Sequence, residues 1–229
     1  MNFSKLASLV LLLFLMGTTA QAQSETRTPG AFTGVESSGS WNVYITIGSK
    51  DEVRLESNGF DLNKVITEVN KGKLEIKLEK GNYRNVNFDA YVTVRELENI
   101  GSGGSGNMTV ESNINADKLN IGQSGSGDVK LKSINVGHLN VGMSGSGNMY
   151  IEGGNADTAN IGQSGSGDFN GLEVMANTVK IGKSGSGNTS IGANEKLTVG
   201  SSGSGNVYYK GNPDNKKIAS SGSSKVIKR

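Results

Sequence analysis

Cysteine is absent from this chain, and histidine is nearly so, with His138 alone. The first absence removes disulfides, thiolate metal sites, cysteine nucleophiles and a lipid anchor on cysteine. It leaves the compartment open, because exported proteins also dispense with cysteine. The second leaves no histidine pair for a metal, and His138, between Gly137 and Leu139 with no metal-ligand or triad partner type nearby in sequence, reads as a surface residue. A dominant charge is missing too. The formal net charge is +2 over 229 residues, so no global field favours nucleic acid or an anionic membrane. Past residue 22 no apolar run is long enough to cross a bilayer as a helix of roughly 20 residues. Only two prolines accompany 34 glycines. Without a collagen period, that glycine load marks many tight corners rather than a flexible linker.

Residues 1–22 have the pattern of a secretory signal: Lys5, the apolar run from Leu9 to Met16, and Ala20-Gln21-Ala22 as the small-x-small cleavage site. The mature chain would start near Gln23. Residues 23–30 (QSETRTPG) read as a disordered lead-in.

What is present in excess is one phrase. Ser124 to Asp128 reads SGSGD, and it returns as SGSGN at Ser144, SGSGD at Ser164, and SGSGN at Ser184 and Ser202. A looser copy ends at Asn107, and a decayed one runs from Ser221 to Lys225. From Asn107 the Asn/Asp position recurs after 21, 20, 20, 20 and 18 residues. A fixed period near 20 predicts a solenoid, each repeat one coil that cannot bury its apolar face alone. A short strand stands before each corner, as in Leu119-Asn120-Ile121-Gly122. A second stands after it, as in Val129-Lys130-Leu131. Ala116, Val136, Ala156 and Ala176 hold matching places on a third side. The prediction over 99–229 is therefore an all-β parallel β-helix of three-sided, 20-residue coils. Asn107, Asp128, Asn148, Asp168, Asn188 and Asn206 should form a structural ladder at the corner. The corner serines are expected to stack likewise. The glycines are expected to supply positive φ or close backbone approach.

Over 31–98 the period is two, as in Val43/Ile45/Ile47, Leu74/Ile76/Leu78 and Ala90/Val92/Val94. This predicts an amino-terminal β-strand module that caps the solenoid. Asp61 to Val69 reads either as one helical turn capped by Asp61 or as a strand over Val65 to Val69. Ser38-Gly39-Ser40-Trp41-Asn42-Val43 repeats the corner phrase with Trp41 in a glycine's place, an outlying coil modified to end or turn the stack. At the other end, Lys216, Lys217, Lys225, Lys228 and Arg229 read as charged guards against strand pairing.

Four chemistries compete with a binding or structural role. Calcium solenoids repeat every nine residues with Asp ligands, whereas four of the six ladder positions here are Asn. A nucleotide loop would need GK[ST] and a following helix. An ice-binding array needs a flat exposed side, and these serines stand at corners. A β-helical polysaccharide lyase or glycosidase would need clustered carboxylates and basic residues, and no such cluster repeats on one face. No catalytic, metal or cofactor residue is assigned. Tyr150 and Tyr208, at the middle of their strands, are the exposed aromatics proposed for ligand binding.

Phe32-Thr33-Gly34-Val35, Trp41-Asn42-Val43-Tyr44-Ile45, Lys73-Leu74-Glu75-Ile76, Tyr91-Val92-Thr93-Val94, Ile100-Gly101 and Tyr208-Tyr209-Lys210-Gly211-Asn212-Pro213 appear in that order around the SGSGN/D coils. With these the chain resembles the auto-transporter adhesin head GIN domain family of exported Bacteroidetes proteins, over about residues 30 to 228. The resemblance implies a β-helix-like fold and an envelope or surface role. Nothing after residue 99 shows the alternating, girdled segments of a membrane barrel. The expectation is an exported, non-enzymatic β-solenoid whose partner is a glycan or another envelope or surface component. The alternatives are the carbohydrate-active enzyme and a self-assembling structural rod.

Overall fold

The computed structural model describes residues 22–229; the expected secretory signal lies outside the described residues, apart from Ala22. The elements are β1 (Ala22–Arg27), β2 (Gly34–Ser37), β3 (Asn42–Ile47), β4 (Glu52–Asn58), β5 (Val65–Asn70), β6 (Lys73–Leu78), β7 (Phe88–Val94) and β8 (Asn99–Ser102). They continue with β9 (Met108–Gln123), β10 (Val129–Met143), β11 (Met149–Ile151), β12 (Gly154–Gln163), β13 (Phe169–Lys183) and β14 (Thr189–Ser201). The last are β15 (Val207–Lys210), β16 (Asn215–Ser220) and β17 (Val226–Lys228). From residue 99 onward the chain winds as a parallel β-solenoid. Val129 pairs with Met108 and Met149, and Leu139 pairs with Leu119 and Ala159. The register step is thus one repeat of the sequence. The long strands bend round more than one side of the prism, because the backbone passes the Ala116/Val136/Ala156/Ala176 side in extended conformation.

Apolar residues at alternate positions fill the interior in columns. Leu119, Leu139, Ala159, Val179 and Leu197 form one, and Ile121, Val141, Ile161, Ile181 and Val199 another, all buried. Such columns bury each side chain against its counterparts above and below, so stability sums over coil-to-coil contacts. Volume is balanced locally: Phe169 is fully buried, and Gly171 leaves the space its ring occupies. Beneath the corner runs a column of mixed character, Ser102, Gln123, Met143, Gln163, Lys183 and Ser201. The Gln163 amide donates to Gly167 O and Asn188 O (3.2 Å) and accepts from the Thr189 hydroxyl. Lys183, 4% exposed, takes the same place and donates to Gly185 O at 2.9 Å. Desolvation holds its ammonium below the usual lysine range.

The strand-rich amino-terminal residues belong to the same stack, in an order different from the sequence. β2 lies between β6 and β8, and β3 between β7 and β9, all parallel. The chain therefore starts one coil in with β2 and β3, leaves to form an outer coil with β6 and β7, and returns on the far side of the first. Antiparallel β4, β1 and β5 finish that end. The SGSW phrase is indeed a coil of the series. Trp41 is 7% exposed and stacks on Phe88 with centroids 4.7 Å apart. Both readings of Asp61 to Val69 apply in succession. The Asp61 side chain caps a 3-10 turn over Leu62–Lys64, and β5 follows. The expectation of a disordered lead-in is corrected. Residues 23–30 are not a disordered lead-in, because Ala22 to Arg27 pair with Asn58 to Val53 as an added antiparallel strand. Arg27 fixes it by donating to Leu62 O (2.8 Å), Val65 O (2.5 Å) and the Glu25 carboxylate. Isolated polar composition hid this, since an edge strand needs little apolar surface of its own.

Candidate functional site

The corner phrase places the six Asn/Asp residues in a column, and the side chain of each reaches the next coil. The backbone N–H of Asp128 donates to Asn107 Oδ1 (2.9 Å), Asn148 to Asp128 (2.9 Å), Asp168 to Asn148 (3.0 Å) and Asn188 to Asp168 (2.6 Å). Asn206 donates to Asn188 (2.9 Å), and Lys225 to Asn206 (3.0 Å). Asn42 extends the column toward the amino end by accepting from Asn107 N–H at 3.2 Å. Each carboxylate has an asparagine above it whose Nδ2 adds a second donor, Asn148 to Asp128 and Asn188 to Asp168, both at 3.3 Å. Alternation thus avoids stacking like charges and gives each charge two partners.

The corner serines stack in register, but the expected ladder of hydroxyl hydrogen bonds does not join Ser124, Ser126, Ser144 and Ser146. Ser124, Ser126, Ser144 and Ser146 are exposed, and the bonds across coils are made by backbone, as in Ser146 N–H to Gly125 O (3.1 Å). The corner glycines Gly125, Gly145, Gly165 and Gly185 are not in the left-handed region. Close approach is what requires them: a Cβ on any of the four would meet the carbonyl oxygen of the coil before it, closer than 3.0 Å.

Two residues along from the ladder, on the same outward face, runs a second column. In register it reads Arg54, Tyr91, Tyr44, Thr109, Lys130, Tyr150, Asn170, Ser190, Tyr208 and Ile227. The two sequence candidates, Tyr150 and Tyr208, share this one lane. The structure adds Tyr44 and Tyr91, stacked at 5.1 Å. All four rings are part-exposed. A signal for Tyr44 stands in the sequence: SGSWNVY at Ser38 matches SGSGNMY at Ser144 and SGSGNVY at Ser202. Tyr91 carries no such phrase. Cations lie against the rings, Arg54 over Tyr91 at 4.3 Å, Lys130 over Tyr150 at 5.7 Å and Arg229 over Tyr208 at 4.3 Å. Charges of both signs are interspersed on the face: Arg54, Lys130, Lys132 and Arg229 against Glu56, Asp89, Glu111, Asp128, Glu152 and Asp168. Arg229, expected to guard the end, lies on Tyr208, and Lys228 donates to Asn212 Oδ1. Lys216 and Lys217 are exposed on β16.

A different face carries a shallow furrow of about 650 Å³, lined by Asn120, Asn140, Asn160, Lys180 and Gly122, Gly142, Gly162, Gly182. Its asparagines form their own ladder, with Nδ2 to Oδ1 distances of 2.9 to 3.1 Å from Asn99 to Asn160. A Cβ on Gly142 or Gly182 would meet nothing within 4 Å. His138 is exposed on the third side, 2.7 Å from Thr158 Oγ1. Among the described residues no group of three metal-ligating side chains forms and no helix is long and apolar enough to span a membrane.

The family model described as "Putative auto-transporter adhesin, head GIN domain" matches residues 31–213. The chain belongs to this family. The structure of a "putative adhesin" from Bacteroides fragilis superposes with a TM-score of 0.87 at 22% identity, covering 91% of this chain and 97% of that one. A "putative adhesin" from Parabacteroides merdae gives 0.69 at 18% identity, over 92% and 97%. A "putative lipid binding protein" from Parabacteroides distasonis gives 0.65 at 20%, over 92% and 98%. These likenesses establish a shared fold. No curated protein matches the chain. The head GIN domain fold here is thus a continuous ladder from β6 and β7 to β16 and β17, with its outward columns in register.

Proposed function

We propose that this head GIN domain protein is an exported, non-enzymatic binding protein of the cell envelope or surface, adhesin-like in role. It would hold an extended polymer along its coil faces. The observation that carries this is the in-register exposure of one tyrosine, amide and hydroxyl column over the length of the rod. Glycosidases work through a pair of carboxylates flanking the scissile bond. Here the ladder carboxylates Asp128 and Asp168 are committed to hydrogen bonds with the coil above. Membership of an adhesin family supports export and a surface role, and the signal-like residues 1–22 agree with it. The test is a binding screen of the mature protein against purified polysaccharides and fractionated envelope extracts. Retention of a polysaccharide or surface polymer is expected. Retention of none, with a folded protein, would overturn the reading.

A further inference from the structure

The geometry points to the tyrosine lane as a glycan-binding site with three platforms, and to its ligand as a neutral, linear polysaccharide lying along the solenoid axis. This rests on the binding role proposed above and gives it a site and a ligand class. Six coil steps separate Tyr44 from Tyr208, with Tyr150 at the midpoint. At about 4.8 Å per step the platforms stand about 14 Å apart on a lane about 29 Å long. Between them the lane is polar: Thr109 and Lys130 in the first interval, Asn170 and Ser190 in the second. A sugar ring has an apolar C–H face and a rim of hydroxyls. The part-exposed tyrosines offer an apolar body with a polar tip, and Thr109, Asn170 and Ser190 within the lane offer hydroxyl and amide groups to the rim.

The rings are already oriented. Tyr44 is held by Tyr91, Tyr150 by Lys130 and Tyr208 by Arg229 and by Asn206 Nδ2 at 3.2 Å. Pre-ordered rings lose little freedom on binding. Charge selects the class of polymer. A polyanion would meet Asp128, Asp168, Glu111 and Glu152 beside the lane, and a polycation would meet Lys130, Lys132 and Arg229. Like-charge contacts of this kind exclude partners. A neutral chain meets no such barrier. The regular spacing further demands length: a short sugar reaches one ring, a longer one two, and only a chain of about 29 Å all three.

The experiment uses the mature chain and its single variants Tyr150→Ala and Tyr208→Ala, the double variant, and His138→Ala on the third side as control. Folding is checked by circular dichroism. Binding is read by affinity electrophoresis in neutral linear polysaccharides (β-glucans, mannan, xylan) and in acidic ones (alginate, hyaluronan), then by calorimetry with oligomers of two to eight units of the retained polymer. Expected are retention by a neutral polymer, loss of about tenfold in affinity per tyrosine, no change for His138→Ala, and affinity that climbs with oligomer length. Retention that survives the double variant would overturn the lane while leaving the binding role intact. Retention only in acidic polymers would overturn the ligand class. No retention in any polymer or envelope fraction would overturn both.

Discussion

The same chemical change, glycine to alanine, should have opposite effects at two positions three residues apart. At Gly145 a Cβ would fall on the Gly125 carbonyl, which is already the acceptor for Ser146 N–H at 3.1 Å and Gly147 N–H at 3.2 Å. To clear it, the coil has to lift, and both bonds stretch out of range. Two net backbone hydrogen bonds are worth about 1 to 3 kcal/mol, and the columns under the corner lose contact as well. Gly145→Ala should therefore cost about 2 to 4 kcal/mol. At Gly142 the same methyl points into the open furrow, in an ordinary strand conformation. Alanine there should be neutral or stabilise by about 0.5 to 1 kcal/mol, because glycine weakens a strand interior. Guanidinium unfolding followed by circular dichroism measures both midpoints. A drop for Gly145→Ala with none for Gly142→Ala is expected. Equal effects at the two sites would refute the argument that backbone contact between coils, rather than local conformation, dictates the corner glycines.

Lys183 stands where the neighbouring coil has Gln163, and its buried ammonium is discouraged by desolvation. Lys183→Met should stabilise the protein near neutral pH by about 1 kcal/mol or more. The contribution of Lys183 to stability should rise as pH climbs from its lowered native pKa toward the ordinary lysine value, since at this residue the unfolded chain binds more protons across that window. The difference between the two unfolding free energies should therefore shrink at alkaline pH, and a constant difference would contradict it. Asn148→Ala removes the acceptor of Asp168 N–H and the second donor to Asp128, costing about 1 to 2 kcal/mol. Asp168→Asn keeps an acceptor and should stay within about 0.5 kcal/mol of wild type. Trp41→Ala should cost about 3 to 5 kcal/mol, with hydrogen exchange accelerating in the amino-terminal coils before those past residue 150.

The solenoid was legible because its columns are written in the sequence at a fixed step. Asn107 to Asn206 predict a ladder, and the ladder is there. The spatial order of the first coils was not legible, because β2 and β3 find partners on both sides only after β6 and β7 have gone round them. Alternation fixes which face of a strand is buried but says nothing of which strand lies beside it. Glycines posed the same difficulty. Gly142 and Gly145 look alike in sequence, and only the stacked backbone separates the one that must be glycine from the one that need not be. Of the lane, Tyr150 and Tyr208 were readable from their middle positions. Tyr91 was not, since it joins Tyr44 across 47 residues through an inserted coil.

The proposed role is that of a rod that holds a sugar chain and leaves it intact. The most direct measurement is to incubate the mature protein with the polysaccharide it retains and to follow, over many hours, the bound fraction, the polymer length and the appearance of new reducing or unsaturated ends. A constant bound fraction on a polymer of unchanged length is the predicted result. Shortening of the polymer, abolished by changing a single Asp or Glu, would contradict it and assign the fold to catalysis.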